Sequence, residues 1–479
     1  MKFSILAALF LATLQPLCAQ DFPGFRAGNY TGVNGVFFNP ASIADSRYRF
    51  DFNLVSLSTM VGNNRASFNL NNVVKSFDAD ELERQFVGSG AGLTTGMVGV
   101  DVHGPSLMFN VGKRASVALT TRARTIANII DVDGPLASQL ADDLDNNVTY
   151  PYTLSSNANM RLTVNGWSEF GVSYAQILKD DGAHFFKGGL TLKYLAGAGN
   201  GYLNMRNLNG TISEDAINGE YLSNTTGRID VGFGGINISD IGEDFTKMES
   251  TGFGGDLGMV YEFRPDHEAY KSGDEGDWQR DRNKYKFKVG VALLDIGSMK
   301  YERDRTRSGG YDANITGAER LYLEDLSSRD IDEYKAFFES RPQYFTPVAG
   351  SNGSNYKVAL PTTVQLDVDY HLHRGFYAQL AAQLPMVNDK VYNSRYYSSV
   401  TFTPRYEGRA IGFYLPFNYN SLTKFNAGVS LRMGPLFIGS GSLITAVLGD
   451  SKQADVHFGI RIAGLHKNKS RKAKKDNND

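Results

Sequence analysis

The stretch LPTTVQLDVDYHLHRGFYAQLAAQL, residues 360–384, sets Asp367, Asp369, His371 and His373 at every second position. Alternate residues of a strand share a face, so carboxylates and imidazoles fall on one side of it. These are zinc-type ligands, but same-face neighbours stand roughly 7 Å apart, so at most two of them could share an ion without help from other strands. The expected role is a salt-paired polar wall with no metal and no other cofactor, with Lys286, Lys288, Arg405 and Arg432 as candidate counter-charges. The opposite face reads Val364, Leu366, Val368, Tyr370, Leu372, and after the Arg374-Gly375 turn the pattern repeats with Phe376, Ala378, Leu380, Ala382 and Leu384.

Other chemistry is sparse. Asp131-Val132-Asp133-Gly134 is half of a calcium loop without the downstream Glu such a loop needs. His103, His371, His373 and His457 fall on the polar faces of their strands, away from any Ser-His arrangement at a lipid face. Neither a P-loop nor a G-x-G-x-x-G opening a helix occurs. No catalytic residue is assigned, and the chain is not expected to be an enzyme.

Such two-faced strands suit either a soluble sandwich or a membrane barrel, and the rest of the chain favours the barrel. MKFSILAALFLATLQPLCAQ has a basic start, an apolar run and a small residue at Ala19, the pattern of a cleaved signal peptide over 1–19. Its Cys18 is the one cysteine of the chain, so the mature protein is expected to hold no thiol or disulfide. No later run is apolar enough for a spanning helix. The 51 Gly and the 55 Tyr plus Phe suit a twisted, closed sheet with interfacial rings, and the net charge of −2 argues against a nucleic-acid partner.

Fourteen period-two runs are found, at 47–61, 97–111, 114–128, 163–178, 184–199, 251–264, 284–300, 361–371, 374–385, 396–406, 408–418, 424–433, 435–443 and 454–463. Even-to-odd connections are short and odd-to-even connections long, the asymmetry of outer-membrane barrels. The 265–283 connection breaks the rule, as a long turn or an overlooked hairpin. The fold expected is all-β, a fourteen-stranded transmembrane antiparallel barrel over 47–465, preceded by a hatch-like segment over 20–46 and followed by a basic periplasmic tail over 466–479. Inward positions read Arg47, Arg49, Asp51, Asp101, Arg122, Arg124, Glu169, Lys193, Asp367 and Asp369, with Arg461 on the last strand. Short amphipathic helices are expected at 78–86 and 327–342.

The segment GVNGVFFNPASIADS, with Asn39-Pro40-Ala41 at its centre, resembles the Asn-Pro-Ala segment near the mature N-terminus of FadL-type outer-membrane channels. It is also similar to barrels of the Bacteroidota that include type IX secretion partners, and the whole chain looks like an uncharacterised outer-membrane barrel family of that phylum. The resemblance implies fourteen strands, a small N-terminal hatch, an outer-membrane location in contact with lipid, and passage of small solutes, apolar ones included. The inward charges fit a lateral or hatch-gated route better than a continuous greasy channel. The alternative is a non-transporting envelope scaffold or secretion-associated surface protein that binds an envelope partner.

Overall fold

The computed structural model describes residues 22–70, 92–134, 136, 149–155, 160–235, 250–272, 277–327, 329, 333–351, 353, 355–387 and 390–466. The expected signal peptide, the helix expected at 78–86 and the tail beyond His466 lie outside these residues.

Fourteen antiparallel strands close a barrel, one for each period-two run. They are β1 (Tyr48–Asn63), β2 (Leu93–His103 continued by Ser106–Val111), β3 (Ala115–Asp133), β4 (Met160–Asp180), β5 (His184–Asp215), β6 (Ser250–Phe263) and β7 (Phe287–Glu302). The second half comprises β8 (Thr363–His373), β9 (Phe376–Pro385), β10 (Ser399–Glu407), β11 (Ile411–Tyr414 with Phe417–Asn420), β12 (Lys424–Ala427 with Val429–Met433), β13 (Leu436–Ser440) and β14 (Gln453–Leu465). Pairing of β14 with β1, from Tyr48↔Leu465 to Gly62↔Gln453, removes the free edge. Closure matters because lipid offers no hydrogen bonds to an unpaired strand.

The barrel is apolar outside and polar inside. Along β8, Val368 is 49% exposed while Asp369 is 0%, and Leu119, Val172, Leu192, Leu257, Phe402 and Ile462 continue the exposed apolar belt around the wall. A soluble sandwich would bury these residues, whereas a bilayer solvates them.

Two expected inward residues point elsewhere. A register irregularity between Tyr48 and Phe50 turns Tyr48 inward and leaves Arg49 exposed. Lys286 precedes the regular part of β7 and lies on the outer rim, its Nζ 4.7 Å from the Tyr370 ring centroid, because the neighbouring Tyr285 takes the inward position. His373 is exposed at the short-turn end, and His371 is half-buried there, stacked on Tyr377 with ring centroids 4.6 Å apart.

The long-loop end carries structure where period-two alternation predicts only loop. β5 continues past residue 199 to Asp215 and pairs with a strand at Gly219–Gly235, which pairs in turn with Gly309–Ile315. A short helix, Tyr334–Glu339, lies within the stretch expected to be helical and helps bury an apolar core of Leu203, Ile212, Leu222, Tyr311, Phe337 and Phe345. At the other end, the exceptional 265–283 connection contains a small hairpin, Lys271–Ser272 against Asp277–Trp278.

Candidate functional site

The lumen is filled in three layers. Nearest the short turns, residues 22–46 coil through the barrel as three short 3-10 helices, and none of these residues is exposed. Asn39 caps the third, its Oδ1 accepting from Ala41 N at 3.0 Å, while its Nδ2 donates to the Met259 and Val291 carbonyls at 3.3 Å. Pro40 sits at the first helical position, where its lack of N–H costs nothing. The Asn39-Pro40-Ala41 turn packs on the wall at Gly189 and Gly258, where a methyl group would overlap Pro40 or Asn39.

Charged wall residues hold this segment. Asp51 accepts from Val33 N at 2.6 Å, and Arg461 reaches Asp51 (3.4 Å), Tyr48 OH (2.9 Å) and the Tyr30 carbonyl. Arg405 donates to both Asp369 oxygens at 2.9 and 2.6 Å, and Lys288 lies 3.2 Å from the same carboxylate. Lys288 also donates to Asn29 Oδ1 at 3.1 Å, and Glu407 accepts from Asn29 N at 2.9 Å. Arg432 does not serve Asp367 or Asp369; it donates to the Gly408 and Arg409 carbonyls and lies over the Tyr30 ring. Arg47 pairs with Asp45, which also meets Arg264 (2.9 Å) and Lys284 (3.2 Å). Burial alone would raise the Asp45 carboxyl, but Lys284, Arg47 and Arg264 hold it well below the ordinary carboxylate range.

Above the segment lies an ionic layer. Arg124 donates to Glu169 at 2.8 Å and to Asp295 at 2.7 and 2.8 Å, while Lys193 lies 2.6 Å from Asp295, 2.9 Å from Asp256 and 3.3 Å from Glu169. Arg122 pairs with Asp101, and Trp167 Nε1 donates to Glu169 at 2.9 Å. Strand alternation gives most of this layer but misses Asp295. A register shift between Leu293 and Ile296, with Asp295 at φ 59°, turns that carboxylate inward. A charge inside the apolar run ALLDIG was the available signal, because the lipid face would not tolerate it.

The third layer is the stretch 390–398, folded down into the lumen. Its backbone carbonyls accept from inward side chains: Arg395 O from Asn128 (3.1 Å), Tyr392 O from Asn165 (3.2 Å) and Asn200 (3.1 Å), and Val391 O from Thr163 (2.9 Å). Backbone acceptors have no signature in residue type, so nothing in the sequence marked this loop. Among the described residues no group of three or more His, Cys, Asp or Glu could hold a metal ion, and Asp369 is fully engaged by Arg405, Lys288 and Tyr285.

The wall itself has a seam. β13 stops at Ser440, so the strand ladder of Lys424–Ala427 is with β11 and that of Gln453–Asp455 with β1. Side chains bridge the gap: Asn426 Nδ2 donates to Gln453 Oε1 (3.2 Å), Thr423 Oγ1 to the same oxygen (3.0 Å), and Ser451 Oγ to Asn426 Oδ1 (2.9 Å). A six-residue helix, Leu443–Leu448, covers the outside, with Thr445 Oγ1 accepting from Ala427 N at 2.7 Å. This helix buries Ala427, which alternation had placed facing lipid. Pro23 lies behind the seam, its carbonyl accepting from Ser430 Oγ at 2.5 Å.

The inverted polarity, the closed fourteen-strand sheet and the filled lumen define a β-barrel of the outer-membrane type. The chain belongs to DUF5723, a family of unknown function whose model matches residues 40–441. No curated protein matches the sequence. Among solved structures it is similar to a Pseudomonas aeruginosa FadL homologue (10% identity, TM-score 0.42, covering 93% of this chain and 98% of that one). It is also similar to the Ralstonia pickettii toluene transporter TbuX (9% identity, TM-score 0.39, 91% and 95%) and the P. putida toluene transporter TodX (9%, 0.40, 91% and 95%). At these scores the likeness is topological and does not transfer a substrate.

Proposed function

We propose that this protein resides in an outer membrane, short turns in the periplasm and long-loop lobe outside, and admits small solutes through the wall seam rather than along an open lumen. The observation that carries this reading is the interrupted ladder between β12 and β14. There side-chain hydrogen bonds, among them Gly441 N–H to the Asp455 carboxylate, and a short helix replace the backbone pairing of an intact wall. Each such bond contributes only about 1 kcal/mol net, so local opening at the seam costs far less than parting a full ladder. Leu443, Val447 and Leu448 on the covering helix are exposed toward the lipid side, so apolar solutes dissolved in the bilayer reach it directly. Residues 22–46 act as the hatch behind the seam, anchored through Asn39, Pro40 and Ala41, and the charged residues that grip it keep it seated. No catalytic step belongs to this reading.

The test is a lock across the seam. Asn426→Cys with Gln453→Cys, in a mature chain expected to hold no other cysteine, is oxidised or spanned by a short thiol cross-linker in outer-membrane vesicles. Uptake of a panel of labelled small solutes should fall several-fold and recover on reduction; uptake indifferent to the lock would overturn the lateral route. The lobe, with its own apolar core, supports the second reading, a surface scaffold. That reading takes over if the unlocked protein gives no uptake above protein-free vesicles.

A further inference from the structure

Between the segment 22–46 and the wall of β5–β9 lies a recess of about 90 Å³; it shares Arg26, Gln365, Gln379 and Ala381 with a smaller one of about 10 Å³ that Thr401 and Thr403 of β10 also line. Its origin is local. Ala381 sits in register between Asp367 on β8 and Thr401 on β10, and its single methyl leaves open the space that the longer Gln379 and Gln383 fill on either side. Asp367 lies flat over Gly290 on β7, where a Cβ would collide with its carboxylate.

Three groups facing the two recesses, Asp367 in the larger, Thr403 in the smaller and Gln379 in both, make no side-chain hydrogen bond among the described residues. Gln379 is 7% exposed and Thr403 2%, and they are register neighbours on β9 and β10. Neither they nor Asp367 hydrogen-bonds a side chain or makes an ion pair among the described residues. A buried polar group is ordinarily satisfied by protein, water or ligand. The surrounding cations, by contrast, are engaged: Lys288 with Asp369, Arg26 with Gln365 Oε1 at 2.9 Å, Lys187 with Glu262 and Arg47 with Asp45.

We infer that this recess is a binding site for a small neutral polyol, on the scale of glycerol or erythritol. The volume holds about six to nine water-sized spheres, the scale of such a molecule. Hydroxyl groups both donate and accept, so they satisfy the Gln379 amide, the Thr403 hydroxyl and the Asp367 carboxylate together. An apolar solute would leave all three unsatisfied, and an anion would face Asp367. Tyr285 and Phe38 also line the larger recess and offer ring surface to the C–H groups of the ligand. The site is separate from the seam and does not rest on passage through it.

Equilibrium binding of labelled erythritol to the full mature chain in detergent micelles tests the inference without any transport step. Saturable binding is expected, abolished by Ala381→Met, which fills the recess. Thr403→Val, close to isosteric, should weaken it by about tenfold, the loss of roughly one hydrogen bond. Heat-modifiable migration of each variant certifies the fold. No binding by the wild type, binding unchanged in both variants, or displacement of erythritol by toluene or by an organic cation in preference to glycerol would each overturn the site. None of these results bears on the seam lock.

Discussion

Each side chain of the wall is solvated by what its face meets. Arg432 and Arg461 are fully buried inside the barrel, while Leu and Phe are exposed outside. Inside, the charges survive burial because they are netted together, as Arg124 is between Glu169 and Asp295. Outside, a charge has no such partner. Val368 lies mid-strand on β8 and is 49% exposed, so Val368→Arg should destabilise the barrel by about 2–4 kcal/mol, the cost of Arg at the bilayer midplane. The temperature or denaturant concentration at which heat-modifiable migration is lost measures this. A cost below that of a mild inward substitution such as Thr363→Ser would mean that the lipid face has been assigned wrongly.

At the scale of elements, the segment 22–46, proposed above as a hatch, is the part whose seating depends on charge. Asp45 is its most heavily paired residue, meeting Arg47, Arg264 and Lys284. Its carboxyl is held well below the ordinary range. A carboxylate depressed on folding contributes stability that is fully present above its unfolded pKa of about 3.9 and is lost as pH falls below that value toward the folded pKa. Hydrogen-exchange protection of residues 22–46 should therefore be flat from pH 8 to about pH 5 and decline only below about pH 4. A decline near pH 6 would point to histidine in place of Asp45. Asp45→Asn should lower protection at neutral pH, since Arg47, Arg264, Lys284 and Arg280 then lose their shared acceptor.

For the whole molecule, an even number of strands fixes one consequence: both ends of the barrel sequence emerge on the side of the short turns. Tyr48 pairs with Leu465 at that end, and His466 donates its backbone N–H to the Arg47 carbonyl at 3.2 Å. The basic tail that follows is therefore proposed to hang in the periplasm. A tag placed after Asp479 should be invisible to antibody on intact cells and become accessible once the outer membrane is permeabilised. Labelling of intact cells would invert the topology argued above.

The sequence by itself determined the strands and most of their faces. Period-two alternation is a local property, readable wherever a strand has one greasy and one polar side, as at Val364 to His373 or Phe425 to Arg432. It therefore gave the fourteen-strand barrel and the inward place of Asp51, Asp369, Arg405 and Arg461. It failed where one inserted residue shifts the phase, at Arg49 and Asp295, because a bulge is set by the neighbouring strand's register. It also missed Ala427, which a non-local helix covers. The seam, the 390–398 plug and the recess at Ala381 had to await the tertiary structure. Each depends on which residues distant strands bring side by side, a register that no single stretch of sequence displays.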